Sequence, residues 1–89
     1  SALAPFSYSP QQAVQIYLEL LETNPADKTS LSSLGNIYLK QAQRYNRAIE
    51  YFTRGFILYP KDPSFIHGFA LSNMLYIIVL IDLICIQAC

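Results

Sequence analysis

SLSSLGNIYLKQAQRYNRAIEYFTRGFILYPKD, Ser30 to Asp62, is the stretch that decides the fold. Its apolar residues recur at helical spacing, with Leu31, Leu34, Tyr38 and Ala42 in the first half and Tyr45, Ala48, Ile49, Phe52 and Phe56 in the second. Residues three and four apart share one side of a 3.6-residue helix, so each half has a stripe to bury. Ser32, Asn36, Lys40, Glu50 and Arg54 fall on the opposite sides, the faces left to water. The spacing predicts two amphipathic helices joined by a tight turn and closed by Pro60. Gly35 and Ala48 are small enough for two helix backbones to approach closely, with Tyr38, Tyr45 and Phe52 filling the space around that contact. Gly55 inside the second helix costs roughly 1 kcal/mol against alanine, which predicts a crossing there that is either tight or locally weak.

These positions resemble the tetratricopeptide repeat. The family's first helix has the form Leu, two residues, Leu-Gly, two residues, Tyr; its second has Tyr, two residues, Ala, three residues, Phe; proline closes the unit. Leu31, Leu34, Gly35, Tyr38, Tyr45, Ala48, Phe52 and Pro60 meet that pattern. Two departures stand out. The linker Ala42-Gln43-Arg44 is one residue longer than the usual Gly-Asp turn, and Gly55 stands where alanine or serine is commoner. The resemblance implies an all-α fold of antiparallel helix-turn-helix repeats, stacked as a short solenoid of about four helices.

An internal echo extends the pattern in both directions. Residues 1 to 9, SALAPFSYS, have no clear period and read as an irregular lead-in. Ser9-Pro10 is a usable helix start, because serine caps and proline suits the first turn. Ala13, Val14, Tyr17 and Leu21 then form a stripe that Asn24-Pro25 ends. A shift of 35 residues carries Ala13 onto Ala48, Val14 onto Ile49, Tyr17 onto Phe52, Leu21 onto Phe56, Pro25 onto Pro60 and Asp27 onto Asp62. Self-similarity at a fixed period is the mark of stacked helical repeats. The same shift sends Leu31 to Ile66, Leu34 to Phe69 and Gly35 to Ala70, so a third unit is expected to begin after Asp62-Pro63; it fails at Asn73, where Tyr38 would map. The chain thus divides into a lead-in over 1–9, helical repeats over 10–73 and an apolar tail over 74–89.

Met74 to Ile86, MLYIIVLIDLICI, carries Asp82 as its one charge and has no turn where the repeat would need one. Three readings stay open for it. It is a long helix packed on its neighbour, since an all-round apolar helix is usually buried. It is a membrane segment: Phe65 to Ile86 reaches the ~20 residues a span needs, although His67, Asn73 and Asp82 weaken it. Or it is a strand or aggregation-prone end, given Ile77, Ile78, Val79 and Ile81. Under any of these it leaves apolar surface that invites self-association unless covered.

The chain has 89 residues, six basic and six acidic, for a formal net charge of zero. That is enough for one small domain, and without a basic run nothing favours nucleic acid or bulk-charge attraction to a membrane. It begins at Ser1 inside a repeat and reads as a fragment or processed product, with no signal peptide and no Asn-x-Ser/Thr sequon. Cys85 and Cys89, four apart, share a helical face whose geometry rarely suits a disulfide, so free thiols are expected.

No catalytic constellation is present. His67 is the lone histidine, and with two cysteines it falls short of four zinc ligands. No glycine-rich loop could cradle a phosphate, and neither cofactor nor metal is expected. Glu19, Glu22, Glu50, Asp27 and Asp62 read as solvating charge at helix faces and turns. The resemblance implies that first helices line a concave groove, where the facing positions would be Ser32, Ser33, Asn36, Leu39 and Lys40. By periodicity Ser32, Asn36 and Lys40 form a polar ridge opposite the Leu31/Leu34/Tyr38 stripe; it either presents Asn36 and Lys40 to a peptide or is simply the wet side of the helix. Repeats that clamp acidic chaperone tails carry a lysine where Ser32 stands and basic residues on the third first-helix, and Ser64 onward has neither Lys nor Arg, so that subclass is disfavoured. The expected function is a non-enzymatic cytoplasmic scaffold that binds a protein or peptide partner. The alternative is a tail-anchored or membrane-associated assembly subunit that uses residues 65–86 as its membrane segment.

Overall fold

The computed structural model describes residues 9–41 and 44–88. Ala42 and Gln43 of the expected linker, the lead-in before Ser9 and Cys89 lie outside the described residues. Four helices make up the described chain: α1 (Pro10–Thr23), α2 (Lys28–Leu39), α3 (Tyr45–Leu58) and α4 (Pro63–Ala88). No strand occurs among the described residues, so the strand reading of the tail is overturned: the β-branched run lies inside α4, where each backbone donor finds its acceptor one turn back.

Local chemistry sets most helix ends. Ser9 caps α1 and forms a reciprocal capping box with Gln12, whose Oε1 accepts from the Ser9 N–H at 2.9 Å; Pro10 opens the first turn. Asn24 ends it, as the sequence predicts. The second helix starts at Lys28 rather than Ser30, because Asp27 accepts from the Ser30 N–H at 3.0 Å and draws two more residues into the helix. Asp62 accepts from the Ser64 N–H at 2.9 Å before α4. Asp27 and Asp62, one period apart, therefore do the same work and are more than solvating charge. Arg44 heads α3 without a side-chain cap.

The helices pack in chain order, with α1 on α2, α2 on α3 and α3 on α4; α2 also touches α4, whereas α1 does not touch α3. Phe52, 1% exposed, lies at the centre. A Cβ built on Gly35 of α2 would meet the Phe52 ring at 2.6 Å, and one on Gly68 of α4 would meet it at 2.4 Å. The ring is thus clamped between two bare backbones on neighbouring helices. Gly55 repeats the device one turn on, where a Cβ would sit 2.1 Å from the ring of Phe65, which is fully buried. The crossing at Gly55 is therefore tight, and its helix-propensity cost is offset by an aromatic ring seated on the backbone.

The 35-residue echo holds at the centre and fails at the α4 edge. Tyr17 and Phe52 are both buried, and Val14 and Ile49 are both half-buried. Phe56, by contrast, is 38% exposed where Leu21 is buried, and Ile66 is 45% exposed where Leu31 is fully buried. Ala70 is exposed where Gly35 is buried. These corrections have one cause: α4 runs straight on for 26 residues, so no described segment folds back over Ile66, Ala70 and Phe56 as α3 folds over Leu31. Tyr51 also escaped the sequence stripe, yet it is buried, stacked on Tyr38 with ring centroids 5.8 Å apart.

Truncation of Phe52 to alanine removes the ring both glycines hold and is expected to cost about 3–5 kcal/mol, read as a fall in urea midpoint. Gly68→Ala and Gly55→Ala should likewise lower the midpoint, although an unconstrained helical site would gain about 1 kcal/mol from the same change. A raised midpoint for either variant would contradict the clamp.

Candidate interaction surfaces

The five positions singled out in α2 do not behave alike. Asn36 and Lys40 are exposed, whereas Ser32, Ser33 and Leu39 are half-buried. Leu39 packs against the hydrophobic core. Ser32 Oγ donates to the Thr29 carbonyl at 3.2 Å, and Asn36 Nδ2 donates to the Ser32 carbonyl at 2.9 Å, so the ridge's amide and hydroxyl donors are met within their own helix. The Asn36 Oδ1 and the Lys40 ammonium remain turned to water, and no ion pair to Lys40 occurs among the described residues. The ridge can accept one hydrogen bond and offer one mobile charge without breaking anything in the core.

A second feature ties the two turns that enter α2 and α4. The Lys28 ammonium lies 3.1 Å from Asp62 Oδ2 and 4.7 Å from the centroid of the Tyr59 ring, while the Tyr59 hydroxyl donates to the Ala26 carbonyl. An open cleft of about 470 Å³ lies between Lys28 and the Tyr59–Pro63 turn. The Ser64 backbone N–H, followed by the Lys28 ammonium, holds the Asp62 carboxyl below its ordinary value of 3.8. Neither partner signalled this pairing in the sequence beyond the one-period spacing of the aspartates.

At the opposite end, aromatic and basic groups interleave. Arg44 stands over Tyr38 at 6.0 Å, Tyr38 stacks on Tyr51, and Arg54 stands over Tyr51 at 5.5 Å. Burial, then the neighbouring Glu50 carboxylate, pushes the Tyr51 phenol above its ordinary value, so it stays neutral in the stack. A shallow groove of about 150 Å³ lies beside it, lined by Gln11, Val14, Tyr38, Gln41 and Arg44. Lys40, Arg44 and Arg47 are all exposed here, and no acidic residue falls between Asp27 and Glu50. The charge count over the whole chain hid this local excess; counting along the chain in windows finds it.

The largest surface is α4 itself. The most apolar 18-residue stretch of Pro63–Gln87 has a mean hydropathy of 2.3, yet only 6% of it is buried. Phe65, Gly68 and Ser72 are buried against the bundle, with Ser72 Oγ donating to the Gly68 carbonyl at 2.7 Å. α4 is packed as far as Ser72, but in the tail from Met74 to Ile86 no side chain is buried and only Leu75 and Val79 are half-buried, so the packed reading of the tail fails. Nine large apolar side chains between Met74 and Ile86 remain at least one-third exposed. At ~1.5–3 kcal/mol for a fully buried aliphatic side chain, covering them would gain on the order of 10 kcal/mol. The cost of carrying the Asp82 charge into lipid is about 3 kcal/mol, well below that gain.

Cys85 is a free, exposed thiol on α4. No group of His, Cys, Asp and Glu able to hold a metal occurs among the described residues.

The Asp62 latch has a defined pH dependence. Its folded carboxyl titrates lower than the unfolded one, so its contribution is present in full above that group's unfolded pKa and is lost as pH falls through the lower folded value. Asp62→Asn should therefore lower thermal stability at neutral pH, and the difference from the parent chain should close in acid below pH 3.8. A difference that does not narrow as pH falls below 3.8 would contradict the latch.

No family model, curated protein or solved structure matches this chain, so the function is assigned on these surfaces.

Proposed function

We propose that the chain is a non-enzymatic protein-interaction scaffold of the tetratricopeptide kind, which receives an extended or helical segment of a partner protein on the face shared by α2 and α4. The observation that carries this reading is the packing order: α2 touches both α3 and α4, while α1 stays clear of α3. That order sets alternate helices side by side as a common face and leaves the others behind it, which is how helix pairs stack into a groove. Asn36 and Lys40 are the exposed residues of α2 on its polar ridge. Lys40 would meet a carboxylate and the Asn36 carbonyl oxygen would accept from a peptide N–H. The rigidity comes from the Phe52 clamp, which fixes the spacing of the two face-forming helices and removes part of the ordering cost of binding. The face carries one mobile cation and no cluster of titratable groups, which favours recognition over catalysis.

The test is selection of peptides from a random display library on the immobilised full chain, followed by calorimetric titration of the selected sequences. Asn36→Ala with Lys40→Ala is expected to weaken the selected peptides at least tenfold while helix content by circular dichroism stays at the parent level. Peptides ending in an acidic carboxylate should show no advantage over scrambled versions. Selected peptides that bind the double variant unchanged would refute the assignment of this face.

A further inference from the structure

We propose that the free end of α4 seats in the hydrocarbon of a lipid bilayer, with Lys40, Arg44 and Arg47 resting on anionic headgroups at its point of entry. This goes beyond the peptide-binding face and does not depend on it.

The first observation is an overhang. Phe65 lies against Gly55 and Gly68 against Phe52, so three residues forward along α4 are three residues back along α3. That antiparallel register brings Tyr76 level with Tyr45, where α3 begins. The helix beyond it, as far as Ala88, runs on for about 18 Å at 1.5 Å per residue. Half of a ~30 Å hydrocarbon core is about 15 Å. The overhang therefore enters the hydrocarbon with every contact in the bundle intact. A conventional span from Phe65 would have to pull Phe65, Gly68 and Ser72 out of the core.

The overhang is also apolar on all sides. Ile77, Ile78, Leu80, Ile81, Leu83 and Ile84 are exposed at successive positions round the helix, and Asp82 is the single charge among them. A second copy of the chain, or any one partner helix, covers a stripe and leaves the remaining faces in water. Lipid covers every face at once.

The second observation is the charge at the neck. The register places the exit of α4 beside the end of α2 and the first turn of α3, where Lys40, Arg44 and Arg47 are exposed with no acidic residue between Asp27 and Glu50. Asp27 and Asp62 lie at the other end, in the turns that precede α2 and α4. Along the axis of α4 the order is apolar tip, basic neck, mixed-charge far end. An anionic bilayer presents the complementary order of hydrocarbon, negative headgroups and water.

The experiment uses the full chain carrying Cys89→Ser, labelled at Cys85 with an environment-sensitive fluorophore. It is mixed with phosphatidylcholine vesicles with and without phosphatidylserine. The expected result is co-flotation, a blue shift, and quenching by bromine placed midway along the acyl chain, with tighter binding when phosphatidylserine is present. Each basic residue near an anionic surface contributes about fivefold, so Arg44→Gln with Arg47→Gln should weaken binding to the anionic vesicles about twenty-five-fold and by less on neutral ones. Those variants leave Lys40 in place, which keeps failure here separate from failure of the peptide-binding face. Ile78→Lys with Ile81→Lys should abolish flotation on both vesicles at unchanged helix content. A folded parent chain that stays in the aqueous fraction would overturn the proposal. So would a Cys85 probe shielded without lipid in a particle of twice the chain mass, which would assign the overhang to a second copy. Arginine variants that bind anionic vesicles as tightly as the parent would remove the basic neck.

Discussion

One aromatic ring held between two glycines sets the geometry on which the rest depends. Phe52 belongs to α3, Gly35 to α2 and Gly68 to α4, so a single contact fixes three helices at once. Without Cβ atoms at Gly35 and Gly68 the flanking backbones come within contact of the ring faces. With them, the ring would have to leave or the helices would have to part. Three glycines in helices are a real loss against alanine, roughly 1 kcal/mol each, and in this molecule each of the three lies under an aromatic ring. The loss in propensity is recovered as close packing, where each ring buries most of its surface.

That clamp also divides α4 into two parts with different physics. The part up to Ser72 belongs to the bundle, because Phe65 sits on Gly55 and Gly68 receives Phe52. Past Tyr76 there is no α3 left to pack against. The helix continues because its backbone bonds are internal and its side chains are good helix formers or tolerable ones, with neither glycine nor proline to stop it. The extents of 51 × 31 × 19 Å reflect this asymmetry: a stacked bundle with one helix running beyond it. The two ends of the bundle differ as well. One is tied turn to turn through Lys28, Tyr59 and Asp62, and the other gathers Lys40, Arg44 and Arg47.

Much of the helical architecture was legible in the residues. Ser9-Pro10, Asn24-Pro25 and Pro60 mark helix ends because capping and the missing proline N–H are local effects. The stripes of Leu31, Leu34, Tyr38, Ala48 and Phe52 mark burial because period is a local property too. Burial at Phe56, Ile66 and Ala70 was not legible, since it depends on whether a later segment folds back, and that is decided outside the local pattern. Tyr51 was missed because its neighbour Phe52 carried the stripe and a helix can bury two adjacent aromatics when two different helices flank it. Gly68 belongs to none of the stripes, and its role emerges only with the ring of Phe52 beside it. Of the ridge on α2, periodicity gave the direction but not the internal hydrogen bonds of Ser32 and Asn36. The basic neck was hidden by a net charge of zero, a quantity that discards position.

The clamp is open to direct observation by nuclear Overhauser spectroscopy on uniformly labelled chain. The Phe52 ring protons should show cross-peaks to the Hα protons of both Gly35 and Gly68, and those Hα resonances should be displaced upfield by the ring current. Cross-peaks to one glycine alone, or to neither, with unshifted Hα resonances, would mean that α2 and α4 are not held by the same ring and would contradict the account of the fold given above.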